Sequence, residues 1–247
     1  MPKPLTYFVS DIHLGLPVND PAAREKAFLA FLRSIRPEET SALYLLGDIF
    51  DFWYEYRDVI PKGAVRVLAA LADVADAGVK VFFFRGNHDL WAKDYFGTLG
   101  IRILEQPYTV KIGTQTFCLG HGDGLGPGDH KYKFFKWLFS RRWAQTLYTS
   151  LHPWLAFRIA TGWSRKSRGE KPIAYHFRGE DERLYKYSLE FQKHSPVNHF
   201  IFGHYHSRVD MPVGSARLHV LGDWMTGPNW LVFNSETGTL EERTYLK

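Results

Sequence analysis

Five short apolar runs in this chain break off in the same way, and that repetition limits the fold more than any other feature. The runs cover residues 5–10, 42–46, 79–84, 116–119 and 199–202, and each is rich in β-branched, aromatic or leucine side chains. Short runs of this kind, bounded by turn signals, read as buried strands. Between them the apolar spacing becomes helical. Residues 21–35 put Ala27, Phe28, Phe31, Leu32 and Ile35 on one face. Residues 62–77 do the same with Val65, Leu68, Ala69 and Ala72 before Gly78 stops them, and residues 181–194 form a third such segment. Strand alternating with helix predicts an α/β layered sheet. Residues 218–221, 231–233 and 240–245 are strand-like with no helix between, which predicts antiparallel strands finishing that sheet.

The chemistry lies at the end of each run. The first breaks into Asp11-Ile12-His13, the second into Gly47-Asp48, and the third into Gly86-Asn87-His88-Asp89. The fourth breaks into Gly120-His121-Gly122-Asp123 and the fifth into Gly203-His204-Tyr205-His206. In open α/β sheets ligands bind outside the carboxyl ends of the strands, and all five clusters fall on that edge. Imidazoles with carboxylates and an asparagine form a donor set for a divalent transition metal. A carboxylate able to bridge would hold two ions about 3.5–4 Å apart, the spacing of two-metal phosphoryl hydrolases. Asp123 reads equally as a partner for a ligand histidine and as a turn residue. Asp51 and Trp53 read equally as packing residues and as substrate contacts.

The series Asp11-x-His13, Gly47-Asp48, Gly86-Asn87-His88-Asp89, Gly120-His121 and Gly203-His204-x-His206 resembles the calcineurin-like metallophosphoesterases. The resemblance implies a four-layer α/β/β/α sandwich of mixed sheets carrying a helical cap. It implies one metal held by Asp11, His13, Asp48 and His206. A second would be held by Asp48, Asn87, His121 and His204, with Asp48 bridging. Manganese is the expected ion; iron, zinc and cobalt are the alternatives. His88, oriented by Asp89, is implied to contact the phosphate or protonate the leaving group. Asp89 has a competing reading as a helix cap.

Within that superfamily the chain resembles the UDP-2,3-diacylglucosamine hydrolases of lipid A synthesis. The likeness rests on residues 47–53 (Gly47-Asp48-Ile49-Phe50-Asp51-Phe52-Trp53), on Trp143-Ala144-Gln145-Thr146-Leu147 and on Leu221-Gly222-Asp223-Trp224. The basic-serine stretch Ser164-Arg165-Lys166-Ser167-Arg168 adds to it. At His88 the chain departs from the best-known members, which have arginine there. The implied reaction releases UMP and a diacylglucosamine 1-phosphate, with attack on the nucleotide-side phosphate.

The net charge of +5 hides an asymmetry. Residues 131–171 hold ten Lys and Arg against one acid, Glu170, together with ten aromatic residues. That segment carries +9 and leaves −4 for the rest of the chain. Helical spacing over 131–139 and 144–160, broken at Pro153, predicts a helical insertion spanning 125–175 within a single domain of 1–247. A diacylated nucleotide sugar needs an apolar groove beside cations, and this block supplies both. Asn87, Ser164, Arg165, Lys166, Ser167 and Arg168 are the expected substrate contacts. Basic amphipathic helices also suit anionic membrane surfaces. The expected partners are therefore a lipid nucleotide and the inner face of the inner membrane, met from the cytoplasm, with no obligate protein partner.

Three readings compete. The insertion could be a helical hairpin packed for stability alone. The enzyme could act on another nucleotide or a phosphodiester. The cations and tryptophans could serve a nuclease or nucleic-acid binder, although cations among apolar helical positions fit lipid better. One cysteine, Cys118, excludes an internal disulfide framework and suits a reducing compartment. No run approaches the ~18 apolar residues of a membrane span. Asp11 interrupts the apolar start of the chain, which argues against a signal peptide.

Overall fold

Apolar residues occupy both faces of the central strands because each strand lies between two cores. The computed structural model describes residues 3–168 and 175–245, and for 161 and 163–168 the backbone alone. Its first half runs β1 (Leu5–Val9), α1 (Pro21–Ser34), β2 (Thr40–Leu45), α2 (Val65–Asp76), β3 (Lys80–Phe84), α3 (Tyr95–Thr98), β4 (Ile101–Leu104), β5 (Tyr108–Ile112) and β6 (Gln115–Leu119). Three helices come next: α4 (His130–Phe139), α5 (Arg142–Thr149) and α6 (Pro153–Arg168). The chain then forms α7 (Arg183–Gln192), β7 (His199–Phe202), β8 (Val209–Val213), β9 (Ala216–Val220), β10 (Asn229–Asn234) and β11 (Thr239–Thr244).

Two sheets result, ordered β11-β10-β1-β2-β3-β4 and β5-β6-β7-β9-β8. Side-chain alternation splits each central strand between layers. Tyr7 and Val9 of β1 pack with Phe28 and Phe31 of α1 and Val67 and Leu71 of α2. Phe8, between them in sequence, faces the other sheet with Tyr44, Phe84, Phe117 and Ile201. Beyond the second sheet, Cys118, Phe200, Phe202 and Leu218 pack with Leu184 of α7. The layers are therefore α/β/β/α. Each large apolar side chain buried this completely contributes about 1.5–3 kcal/mol.

The residue pattern predicts one sheet, and the structure differs. β9 lies parallel to β7 in the second sheet, whereas β10 and β11 finish the first sheet antiparallel. Strands buried on both faces have the same composition whichever sheet holds them. β4, β5 and β8 are unannounced by the apolar pattern. All three are edge strands, and Arg102, Lys111, Asp210 and Pro212 interrupt their runs. The helical insertion has three helices where two stretches are predicted. Pro153 begins α6, a position where its missing N–H costs nothing. α4 and α5 contain no buried residue. Among the described residues, no helix is long and apolar enough to cross a membrane.

Candidate metal centre

Five turns bring the site residues together. Asp11 and His13 follow β1, Asp48 follows β2, Asn87 and His88 follow β3, His121 follows β6, and His204 and His206 follow β7. The first three turns belong to one sheet and the last two to the other, so the site lies where both carboxyl edges meet. Backbone bonds lock turn to turn. Asp11 N–H donates to Gly47 O (3.1 Å), His13 N–H to Asp48 O (3.0 Å) and Gly203 N–H to His121 O (2.9 Å). Of the eight non-glycine residues with positive φ among the described residues, five are Asp11, His13, Asp48, His204 and His206. Such conformations cost of order 1–3 kcal/mol each and persist only where the surroundings over-determine them. Glycine is required where turns touch. A Cβ on Gly86 would collide with the Asp48 carboxylate, and one on Gly203 with that of Asp11.

The side chains form two adjoining sets. In the first, His13 Nε2 lies 3.8 Å from both Asp11 Oδ1 and Asp48 Oδ2. His206 Nε2 lies 3.1 Å from His13 Nε2 and 3.3 Å from Asp11 Oδ1. In the second, His121 Nε2 lies 3.3 Å from both Asp48 Oδ2 and Asn87 Oδ1, and Asn87 Oδ1 is 3.0 Å from His204 Nδ1. Asp48 Oδ2 is common to both sets. Asp11, His13, Asp48 and His121 are buried.

Donor chemistry tests whether these residues fit a metal, and the far nitrogen of each ring is informative. His13 Nδ1 is turned to Asp51 Oδ1 (3.7 Å) and His206 Nδ1 to Asp223 Oδ2 (3.7 Å). His121 Nδ1 donates to Leu46 O (2.9 Å). The Leu46 carbonyl puts the neutral His121 proton on Nδ1 and turns its Nε2 to the set, and the carboxylates behind His13 and His206 favour the same arrangement, as in metal-binding histidines. Two imidazole nitrogens 3.1 Å apart, as in His13 and His206, need a proton or a cation between them. The residues fit.

The charges agree. Burial opposes ionisation of Asp48, but His121, His88 and His13 hold its carboxyl well below the ordinary range. Burial also opposes ionisation of Asp11, and the His206 bond and nearby His121 outweigh it. Burial pushes His13 and His204 down to about 4, so both are neutral donors at pH 7. Burial disfavours charge on His121 as well, yet Asp48 and Asp11 push it up to about 10. The Nε2 proton of His121 is the one a divalent ion would displace, since the same carboxylates attract either cation.

Asp89 does not orient His88, and that expectation is corrected. Its carboxylate accepts from the N–H groups of Gly86 (2.7 Å), Ile49 (2.9 Å), Asp48 (3.2 Å) and Phe50 (3.4 Å). It therefore pins the turn after β2 to the turn after β3. Burial and the Asp48 charge push its carboxyl up to about 7. No helix begins at Asp89 to be capped; Ala92 N–H turns back to the Asp89 carbonyl (3.1 Å). Asp51 is the residue beside His88. His88 Nδ1 donates to the Asp51 carbonyl (2.8 Å), and Asp51 Oδ1 lies 3.6 Å from the same nitrogen. Sequence reasoning leaves Asp51 between two roles and gives Asp223 none. The usable signal is position, because both lie just beyond strand ends on the same edge.

Comparison with known proteins fixes the family. Residues 5–208 match the family model for calcineurin-like phosphoesterases. The chain is a calcineurin-like phosphoesterase. The UDP-2,3-diacylglucosamine hydrolase of Porphyromonas gingivalis is 38% identical over 252 aligned positions, spanning 95% of this chain and 96% of its own length. The UDP-2,3-diacylglucosamine hydrolase of Vibrio atlanticus is 29% identical, spanning 97% of this chain and 98% of its own. A solved archaeal phosphodiesterase superposes with a TM-score of 0.51 over 98% of this chain and 99% of that one. At 14% identity it shares the fold alone.

In this phosphoesterase the shared edge opens into a cavity of about 850 Å³. Asn87, His88 and His204 line part of it, and Phe135, Phe139, Trp143, Leu147 and Ile159 of α4–α6 line much of the rest. Asp123 ties α4 to the turn after β6. Its carboxylate accepts from Lys136 Nζ (2.7 Å), Gln106 Nε2 (2.7 Å) and the Tyr132 hydroxyl (2.5 Å). The side chains of Ser164, Arg165, Lys166, Ser167 and Arg168 lie outside the described residues; their backbone completes α6.

Proposed function

We propose that the protein hydrolyses the diphosphate of UDP-2,3-diacylglucosamine, releasing UMP and 2,3-diacylglucosamine 1-phosphate. The single observation that carries this reading is the cavity. One space of about 850 Å³ is lined both by Asn87, His88 and His204 and by the aromatic residues of α4–α6. A substrate that needs phosphoester chemistry and a home for acyl chains needs that combination. The names of the two relatives support the choice of substrate.

We assign Asp11, His13, Asp48 and His206 to one divalent ion and Asp48, Asn87, His121 and His204 to a second, with manganese as our choice. Such ions supply Lewis acidity, lowering the pKa of water and offsetting phosphate charge. The protein's own residues do the rest. Strained, interlocked turns hold the donor atoms before any ligand arrives, so no reorganisation is needed on binding. His88 holds its Nδ1 proton on the Asp51 carbonyl, so a second proton, on Nε2, is the one that would contact phosphate or pass to the leaving group. The helical insertion excludes water from the acyl chains.

The same insertion supports work at a membrane. Phe134, Trp137, Trp143, Trp154 and Leu155 are exposed. Arg141 lies over Trp137 (4.3 Å) and Arg158 over Trp154 (4.7 Å), so each of these cations sits beside an exposed apolar ring. This reading puts the enzyme on the inner face of the inner membrane as a peripheral protein. Purified protein with Mn²⁺ is expected to release UMP from the diacylated substrate faster than it cleaves soluble phosphoesters. The opposite ranking would overturn the assignment and favour another phosphodiester substrate.

A further inference from the structure

The turn that carries His204 and His206 is held from two sides. On the inner side His204 N–H donates to the Asp11 carboxylate (3.0 and 3.2 Å). On the outer side lies the segment that leads into α7. The Tyr175 ring packs against that of Tyr205 at a tilt, with centroids 4.8 Å apart, and the Tyr175 carbonyl accepts from the Ser207 hydroxyl. Phe177 meets the same tyrosine edge-on at 5.7 Å. The turn is thus gripped at Tyr205, between the two histidines, and at Ser207, beside the second.

The anchor of that grip is Glu182, which is fully buried. Its carboxylate accepts from the Tyr175 hydroxyl (2.7 Å), from Arg178 Nη2 (3.1 Å) and Nε (3.2 Å), and from Arg183 N–H (3.2 Å). His204 and His206 have φ of +73° and +52°, so their turn needs holding from outside itself. We propose that Glu182 is a positioning residue for the metal centre, fixing His204 and His206 through Tyr175 and Tyr205.

The proposal rests on reading those two histidines as metal ligands, and the experiment separates the two ideas. Mn²⁺ and Co²⁺ binding are measured by titration calorimetry on the wild type, Glu182→Gln and Tyr175→Phe. Tyr175→Phe keeps the ring contact with Tyr205 and removes only the hydroxyl bonded to Glu182, so it remains informative if Glu182→Gln folds poorly. Outer partners of metal ligands are worth about 10–100-fold in metal affinity. Both variants are therefore expected to bind Mn²⁺ about tenfold more weakly and to shift the visible spectrum of bound Co²⁺. Wild-type affinity and spectrum in a folded Tyr175→Phe would overturn the proposal. A wild type that takes up no ion would overturn the metal reading itself.

Discussion

Asp11, His13, Asp48 and His121 are enclosed and held by neighbouring turns, whereas Phe134, Trp137, Trp143 and Leu147 lie in the open on helices that bury no residue. The two regions use their residues in opposite ways. The turns bury charge and strain, which is costly unless every partner is present. The helices expose apolar surface, which is costly until something apolar covers it. A small change in the turns should therefore damage chemistry severely, and a small change in the helices should leave the fold alone and damage recognition.

The sharpest way to break that contrast is Asp48→Asn. Asp48 Oδ2 sits in both donor sets, so turnover should fall on the order of 10³-fold. Binding of an acyl-chain probe in the cavity, followed by fluorescence, should be unchanged. Loss of both together would mean that the turns and helices are not separable. Next in size is His88→Gln. Removing a general acid typically costs about 10²–10⁴-fold. The expected result is a kcat reduced by at least the lower figure with wild-type metal content by elemental analysis. Lost metal would instead make His88 part of the ion-binding set.

The contrast also explains which features are legible from residue order alone. The ligand turns are legible because each is contiguous with its strand: Asp11-Ile12-His13 follows β1 directly, and Gly203-His204-Tyr205-His206 follows β7. The partners of those ligands are not. Asp51 and Asp223 reach His88, His13 and His206 only through tertiary geometry, and the wrong neighbour, Asp89, is adjacent in sequence. Strands with two apolar faces, such as β1 and β3, are legible as strands, though not the sheet that holds each; the edge strands are not legible. β8 carries Asp210 and Pro212 because an edge strand tolerates both. The insertion is legible as helical and basic, yet its exposed aromatics follow no core-forming pattern, since α4 and α5 face a cavity and solvent rather than a core.

A smaller effect sharpens the comparison from the helical side. Trp143 and Leu147 line the cavity and are largely exposed. Trp143→Ser is expected to raise KM for the diacylated substrate roughly 10- to 100-fold, from about 1.5–3 kcal/mol of lost apolar contact. Hydrolysis of a small soluble phosphodiester and the melting temperature should be unaffected, because exposed substitutions usually lie within about ±0.5 kcal/mol. A drop in both activities would make Trp143 structural.

The smallest effect lies in the segment that grips a ligand turn from outside. Burial opposes the charge on Glu182, but Arg178 and Tyr175 hold its carboxyl down at about 2 against an ordinary 4.5. A folded pKa below the unfolded one stabilises the protein above pH 4.5. That contribution should fade as pH falls from 4.5 towards 2. Glu182→Gln removes the titration, so its stability should lie below the wild type at pH 7 and converge with it on acidification. Each kcal/mol lost lowers Tm by about 2–4 °C in a protein of this size. Parallel denaturation curves at pH 7 and pH 3 provide the measurement. A gap of constant size at both would mean that the shape of Glu182, not its charge, joins the turn to the segment outside it.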